Sequence, residues 1–477
     1  MNQPAGKPPH GDGGPIKPPA GLLGALGYMG PGLILSAAIV GSGELIATTT
    51  LGARGGFALL WVILLGCTVK VAVQLEFGRA AILHGKPTLQ VWNLALPGQP
   101  SEEVGREVQR ELHPPPVRGG RGVHWSVYLA AAYMLANLIG QGGVLGGAVQ
   151  VGRFAAPGIP VWGWLILLVL MIGALIRSGR YAPVELAATV MNLVFLGTVF
   201  YCVLAIQRTD YALHAADLAK GLSFRLPSGM LALAVSAFGI TGISAGEITL
   251  YPYWCLEKGY ARWTGPREDS DAWRARARGW IRVMTVDAVV SMVVYTLATC
   301  GFFILGATVL RAQPDLKDGN EFILQLSAMF TGVLGTGARA VFMVCAFTVL
   351  FSTVFANAAG FSRVWADFFG LKGWIDWGDP VARRRTIAIV GCLFPVVSAV
   401  VFLLVRKPLL LVVLNGLFNV AFLAVVAWQT VRFRYCLTPR DMRPSRRYDV
   451  VLWISLLAIG GLTVIAAARL LASLHGG

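Results

Sequence analysis

Charge is scarce in this sequence. Asp, Glu, Lys and Arg make up 13% of its 477 residues, where soluble chains carry about a quarter. With 56% of the residues apolar, so thin a charged coat could not keep the chain in water, and a soluble globular fold is excluded. Histidine is rarer still, six residues with no His-rich tract. The seven cysteines (Cys67, Cys202, Cys255, Cys300, Cys345, Cys392, Cys436) include no Cys-x-x-Cys pair, and all lie in or beside apolar stretches. That excludes a zinc ribbon or disulfide scaffold and leaves packing as their use. There is no phosphate loop, no nucleophile motif and no sizeable soluble stretch, so an enzyme is not expected and no cofactor is implied. Alternation of period two is also missing, which excludes a membrane β-barrel. The first 24 residues are Gly/Pro-rich and lack the basic-then-apolar order of a signal peptide, so they read as a disordered tail.

What is present is apolar length. A helix needs about 20 apolar residues to cross a bilayer, and eleven stretches qualify: 27–50, 57–82, 125–150, 159–177, 183–206, 229–254, 281–308, 337–360, 385–405, 408–431 and 449–472. Basic residues fall between them unevenly. With the N-terminus cytoplasmic, 28 of the 40 Lys and Arg lie on the cytoplasmic side and 11 on the other, with Lys70 inside the second stretch. The positive-inside rule therefore predicts a multi-pass cell-membrane protein with a cytoplasmic N-terminus and an extracytoplasmic C-terminus. It also accounts for the net charge of +16 without a nucleic-acid partner. The polar stretch 84–124, with Glu102, Glu103, Glu107 and Glu111 among Arg106 and Arg110, reads as a short salt-bridged surface helix.

Ionisable residues within spans are costly and mark function by default. Glu76, Glu185 and Asp287 lie near span ends, and the long stem of Lys70 can carry its amine toward a carboxylate, so these four read as paired or snorkelling groups. Glu44 and Glu247 lie deeper. The first sits in Val40-Gly41-Ser42-Gly43-Glu44-Leu45-Ile46 and the second in Ile243-Ser244-Ala245-Gly246-Glu247-Ile248-Thr249. The same small-small-Gly-Glu pattern thus occurs in the first and sixth spans, five apart, so its two copies enter from opposite sides. That is the mark of an inverted repeat of five helices with one helix appended. The expected organisation is a tail (1–24), a first repeat (25–206), an extracytoplasmic loop (207–228), a second repeat (229–431), and a linker with the eleventh span (432–477). Both Gly-rich segments are expected to unwind at mid-membrane and face each other, since clustered Gly weakens a helix and freed backbone groups are tolerated only at a cavity. The glycines of span three (Gly142, Gly143, Gly146, Gly147) read instead as close-packing positions.

Several of these segments resemble the Nramp family of divalent-metal transporters. Gly30-Pro31-Gly32 opens the first span as a Gly-Pro-Gly does there. Gly55-Gly56-Phe57-Ala58-Leu59-Leu60-Trp61 is similar to the family's run into span two, and Gln74 to Leu89 to its exit. Ser352-Thr353 through Ala358-Ala359-Gly360-Phe361 resembles its eighth span. The resemblance implies an all-α membrane protein of eleven transmembrane helices, a LeuT-like 5+5 inverted repeat plus one C-terminal helix. It also implies departures. The family's Asp-Pro-Gly-Asn is here Gly41-Ser42-Gly43-Glu44, and its Met-Pro-His is Ala245-Gly246-Glu247. Met134 and Asn137 stand where span three holds acids, and Asn415 and Asn419 match polar positions of the tenth span.

The expected function is a secondary transporter moving a divalent cation by alternating access. With the soft thioether replaced by Ala245, a hard ion such as magnesium is expected over manganese or iron. Glu44 and Glu247 are the expected metal ligands. Gly41, Ser42, Gly43, Ser244, Ala245 and Gly246 supply backbone, and Asn415 and Asn419 complete a polar wall. Proton coupling, if present, runs through the two glutamates. The alternative is an organic solute, or a metal chelated by an organic acid, as the small-molecule substrate.

Overall fold

The computed structural model describes residues 14–94, 122–178, 193–194, 196–312, 318–319 and 321–475. Among these residues every regular element is a helix. Eight helices are long and apolar enough to cross a membrane, and Val161–Arg177, Leu196–Arg208 and Phe322–Leu334 are shorter apolar helices. Eight rather than eleven satisfy length for two reasons. The first expected span, ending at Gly55, turns at Gly56 (φ +60°) through the short 3-10 segment Gly56–Leu59 directly into the second, the two making one helical stretch Gly43–His84. The fourth and fifth are short within the described residues. The expected surface helix around Glu102–Glu111 and the expected Glu185 lie outside the described residues.

Sequence rules set the helix ends. Asp379 accepts from the Val381 N–H at 2.8 Å with Pro380 next in line, and Pro408 opens the following helix. There Asp318 accepts from the N–H groups of Leu409 and Leu410 at 3.1 and 2.9 Å, the anion a helix N-terminus favours. Gly85 and Gly259 stop two helices with φ of +62° and +110°, a conformation that other residues adopt at a cost.

The outer faces identify the solvent. Leu170, Leu204, Leu404 and Leu457 are 64–79% exposed, an apolar belt that lipid covers and water would not. Inward, Gly142 and Gly143 let span three approach backbone carbonyls, with an added Cβ meeting Ser398 O at 2.9 Å and Pro408 O at 2.6 Å. They are the close-packing positions expected. Asp287, fully buried, accepts from the N–H groups of Gly30 and Gly32 at 3.0 and 2.6 Å, so it anchors the start of span one. Glu76 pairs with Arg79 as expected. Part of the expected disordered tail is docked: Ile16 N–H donates to Trp263 O at 2.8 Å and Trp280 Nε1 donates to Ile16 O at 3.0 Å. The aromatic cluster of Tyr28, Trp263 and Trp280 supplies the surface that holds it.

Candidate functional site

The sixth span is broken where its sequence says it should be. Helix Leu231–Ile240 stops, Thr241 to Ser244 are non-helical, and helix Ala245–Lys258 resumes. Gly242 turns the chain at φ +59°, and a Cβ there would lie 2.8 Å from the Cα of Cys67. Ser244 and Glu247 then form a capping box. The Ser244 Oγ accepts from the Gly246 N–H at 3.2 Å, and Glu247 Oε2 accepts from the Ser244 N–H at 2.9 Å. Ser-x-x-Glu is the sequence signature of a helix start, so one expected ligand also begins the second half-helix.

The first span corrects the expectation of a matching break. Pro31–Ile39, Val40–Thr48 and Thr49–Gly55 follow one another as helix, with the middle segment π-helical. Gly41, Ser42, Gly43 and Glu44 lie in that π segment, so their backbone is not unwound. A π turn still widens the helix and loosens its bonding. The Thr49 hydroxyl donates to the Glu44 carbonyl five residues back at 3.0 Å. Gly43 is needed for proximity: a Cβ there would sit 2.7 Å from Ile240 O, at the end of the first half-helix of span six. The two segments therefore do meet, though only one is broken.

At their meeting point one helical hydrogen bond has been exchanged. In an unbroken helix the Gly242 N–H would donate to Phe238 O. Here Gly242 N–H donates to Glu44 Oε1 at 3.2 Å, and Phe238 O accepts from Lys70 Nζ at 2.7 Å. Lys70 also donates to Thr241 O at 2.7 Å and lies 5.1 Å from the Phe238 ring centroid. Thr299 Oγ1 donates to Glu44 Oε1 at 2.9 Å. Lys70 and Glu44 are both fully buried. Lys70 thus reaches carbonyls and not the carboxylate expected of it. Its charge suits the negative end of a half-helix.

Beyond the capping box stand the amides. Tyr133 OH donates to Asn419 Oδ1 at 2.7 Å, Asn137 Nδ2 reaches Asn415 Oδ1 at 3.4 Å, and Asn419 Nδ2 donates to Asn415 O at 2.9 Å. A Cβ on Gly246 would lie 2.7 Å from the Tyr133 hydroxyl, which joins this wall to the start of the second half-helix. Ala245, which the resemblance sets against the family's thioether, is buried. Glu44 Oε2, Thr241 Oγ1 and Asn137 Oδ1 are buried without a hydrogen-bond partner, three polar atoms left for water, a proton or an ion. No group of three or more His, Cys, Asp or Glu is placed to hold a metal among the described residues.

The sequence model described as natural resistance-associated macrophage protein-like, Nramp, matches residues 116–469. The chain belongs to the Nramp family. It is 24% identical over 371 residues to the divalent metal cation transporter MntH of Verminephrobacter eiseniae, covering 76% of this chain and 72% of that one. With MntH of Bacillus subtilis it shares 22% over 385 residues, 80% and 78% of the two chains. Among solved structures, the Eremococcus coleocola manganese transporter in complex with an aromatic bis-isothiourea substituted compound superposes with a TM-score of 0.64 at 14% identity, over 97% of this chain and 90% of that one. Mhp1, a nucleobase-cation-symport-1 family transporter with bromovinylhydantoin bound, superposes with a TM-score of 0.53 at 11% identity, over 96% of each chain. The fold is the LeuT-like one, and this Nramp chain is a multi-pass membrane protein.

Sequence reasoning missed Lys70, Thr299 and Tyr133 at this candidate site of the Nramp chain. Lys70 carried a signal, a lone ammonium in an apolar run, that reads equally well as a snorkelling side chain. Thr299 and Tyr133 carried none, because hydroxyls in spans commonly bond their own helix, as Thr299 also does to Tyr295 O at 2.6 Å.

Proposed function

We propose that this chain is a secondary transporter carrying a divalent cation by alternating access, and that the ion is hard and partly hydrated, magnesium before manganese or iron. The observation that carries the reading is the donor set beside the break of span six: Glu247, Ser244, Tyr133, Asn137, Asn415 and Asn419, oxygen and amide throughout, with Ala245 where sulfur would stand. Magnesium dehydrates reluctantly and is held by one or two carboxylates while keeping waters. Two carboxylates and a wall of amides suit that habit. Glu247 is the principal ligand, and the bare Oε2 of Glu44 is the second. The names of the relatives, divalent metal cation transporters and a manganese transporter, support the class of cargo.

The repeats 25–206 and 229–431 would rock about this site, with the N-terminus cytoplasmic and the C-terminus outside. Span three offers no acid, since Met134 is apolar and Asn137 bonds Asn415. Inward movement of a doubly charged ion is already driven by the membrane potential at about 2.3 kcal/mol per charge per 100 mV, so transport needs no proton partner. The test is magnesium uptake into proteoliposomes under a clamped potential, with a pH dye inside. Uptake without acidification, lost in Glu247→Gln and in Glu44→Gln, is expected. Unaltered uptake in both variants would sink the assignment, and substrate-dependent acidification would overturn the uncoupled form.

A further inference from the structure

Lys70 supplies more than a packing contact. In transporters with a broken helix, the carbonyls at the C-terminal end of the first half-helix, together with the unwound link, are where a sodium ion or proton is held. The end of a half-helix carries about half a negative charge and attracts any cation. Here that end belongs to Leu231–Ile240, and two of the carbonyls it releases, Phe238 O and Thr241 O, both accept from Lys70 Nζ at 2.7 Å. The ammonium is fully buried, arrives from span two, and carries the same unit charge as a monovalent ion. The N–H freed by the same break, that of Gly242, is taken by Glu44.

We propose that Lys70 is a tethered substitute for a monovalent co-ion: it holds the carbonyl site at the break of span six and makes this protein independent of sodium and potassium. It is a positioning residue, since it touches the broken backbone and not the cargo. An ion that dissociates can carry the energy of its gradient into the cycle. An ammonium on a side chain cannot leave, so no sodium or potassium gradient drives this one. The consequence for transport rests on the reading of the chain as a transporter, but occupancy of the carbonyl site does not.

The experiment melts the purified full-length protein in sodium, potassium and N-methylglucamine chloride at equal ionic strength. The wild type is expected to melt at one temperature in all three. Lys70→Ala opens the carbonyl site, so its melting point should fall in N-methylglucamine and rise saturably, by about 3 °C or more, when sodium or potassium is added. Lys70→Gln, which keeps an N–H donor group but not the charge, should show the same trend more weakly. A sodium- or potassium-dependent melting point in the wild type would overturn the proposal, as would folded Lys70 variants indifferent to both ions. If neither variant folds, the wild-type comparison still decides, because an independent melting point supports the proposal and a dependent one refutes it. None of these readings requires uptake, so absence of divalent transport would defeat the proposed function and leave this assignment standing.

Discussion

Gly43→Ala tests whether the first and sixth spans meet as described. In an ordinary helix the change stabilises by about 1 kcal/mol, because alanine loses less backbone freedom than glycine. At residue 43 the new Cβ would stand 2.7 Å from Ile240 O and 3.3 Å from Ile240 C, both backbone atoms that no rotamer change can move. Overpacking of this kind costs about 1–3 kcal/mol, which cancels or exceeds the propensity gain. The control is Gly460→Ala, in helix Arg446–His475, where an added Cβ meets nothing within 4 Å. The expected result is a lower melting point for Gly43→Ala than for Gly460→Ala, by the equivalent of about 1–3 kcal/mol. Thermal melting of both variants in one detergent measures it. Transport should fall further than stability, since the wedge also moves Glu44 away from Gly242. A Gly43→Ala protein as stable as Gly460→Ala would mean that the π segment and the break are not in contact.

Two further predictions concern selectivity and pH. Restoring the thioether and the acid together, in Ala245→Met with Gly41→Asp, should raise manganese affinity relative to magnesium in a competition uptake assay; an unchanged preference would mean that other donors set it. His124, just before span three, is held below its ordinary value near 6.5 by burial and then by the Arg432 guanidinium, whose Nη1 lies 3.1 Å from Nε2. The unfolded chain therefore binds the extra proton more readily, so this contribution to stability is complete above about pH 6.5 and is lost as pH falls below it. His124→Gln should flatten that part of the melting-point profile, and a profile identical to wild type would refute the role.

The fold was largely legible in the sequence because lipid makes apolar length decisive: each helix needs its own run, and each run announces itself. The site was legible in part. Ser244-Ala245-Gly246-Glu247 predicts both a break and its repair, since Gly242 and Gly246 weaken the helix while Ser-x-x-Glu starts another. Val40–Glu44 carries nearly the same pattern, yet it stays helical. The difference lies in tertiary partners. Ile240 O packs on Gly43, and Glu44 has Gly242 and Thr299 to bind, so the first span retains its helix by widening to a π turn. Pattern alone cannot rank two such segments, because the rank depends on which one supplies the side chain that occupies the other's gap. Lys70 was misjudged for the same reason. Its partners are carbonyls some 170 residues away, and carbonyls leave no mark in a sequence.

The exchanged hydrogen bond also bears on which glutamate meets the cargo. A buried ammonium or carboxylate without a partner costs several kcal/mol, yet here each fills the half of the bond that the other leaves empty, the ammonium on the carbonyl and the carboxylate on the amide. The break in span six is thus held by hydrogen bonds from within the chain. Glu44 has thereby committed one oxygen to structure and has one left over. Glu247 has committed one oxygen to the cap of a half-helix and is less buried than Glu44, so under the proposed function it is the carboxylate that an arriving cation would meet first. On that reading, an ion drawn to Glu247 would pull on the capping box, and through Ser244 on the link that Lys70 and Glu44 hold at its other end. Under the proposed function, binding and the geometry of the break would then be joined through only four residues, Thr241 to Ser244.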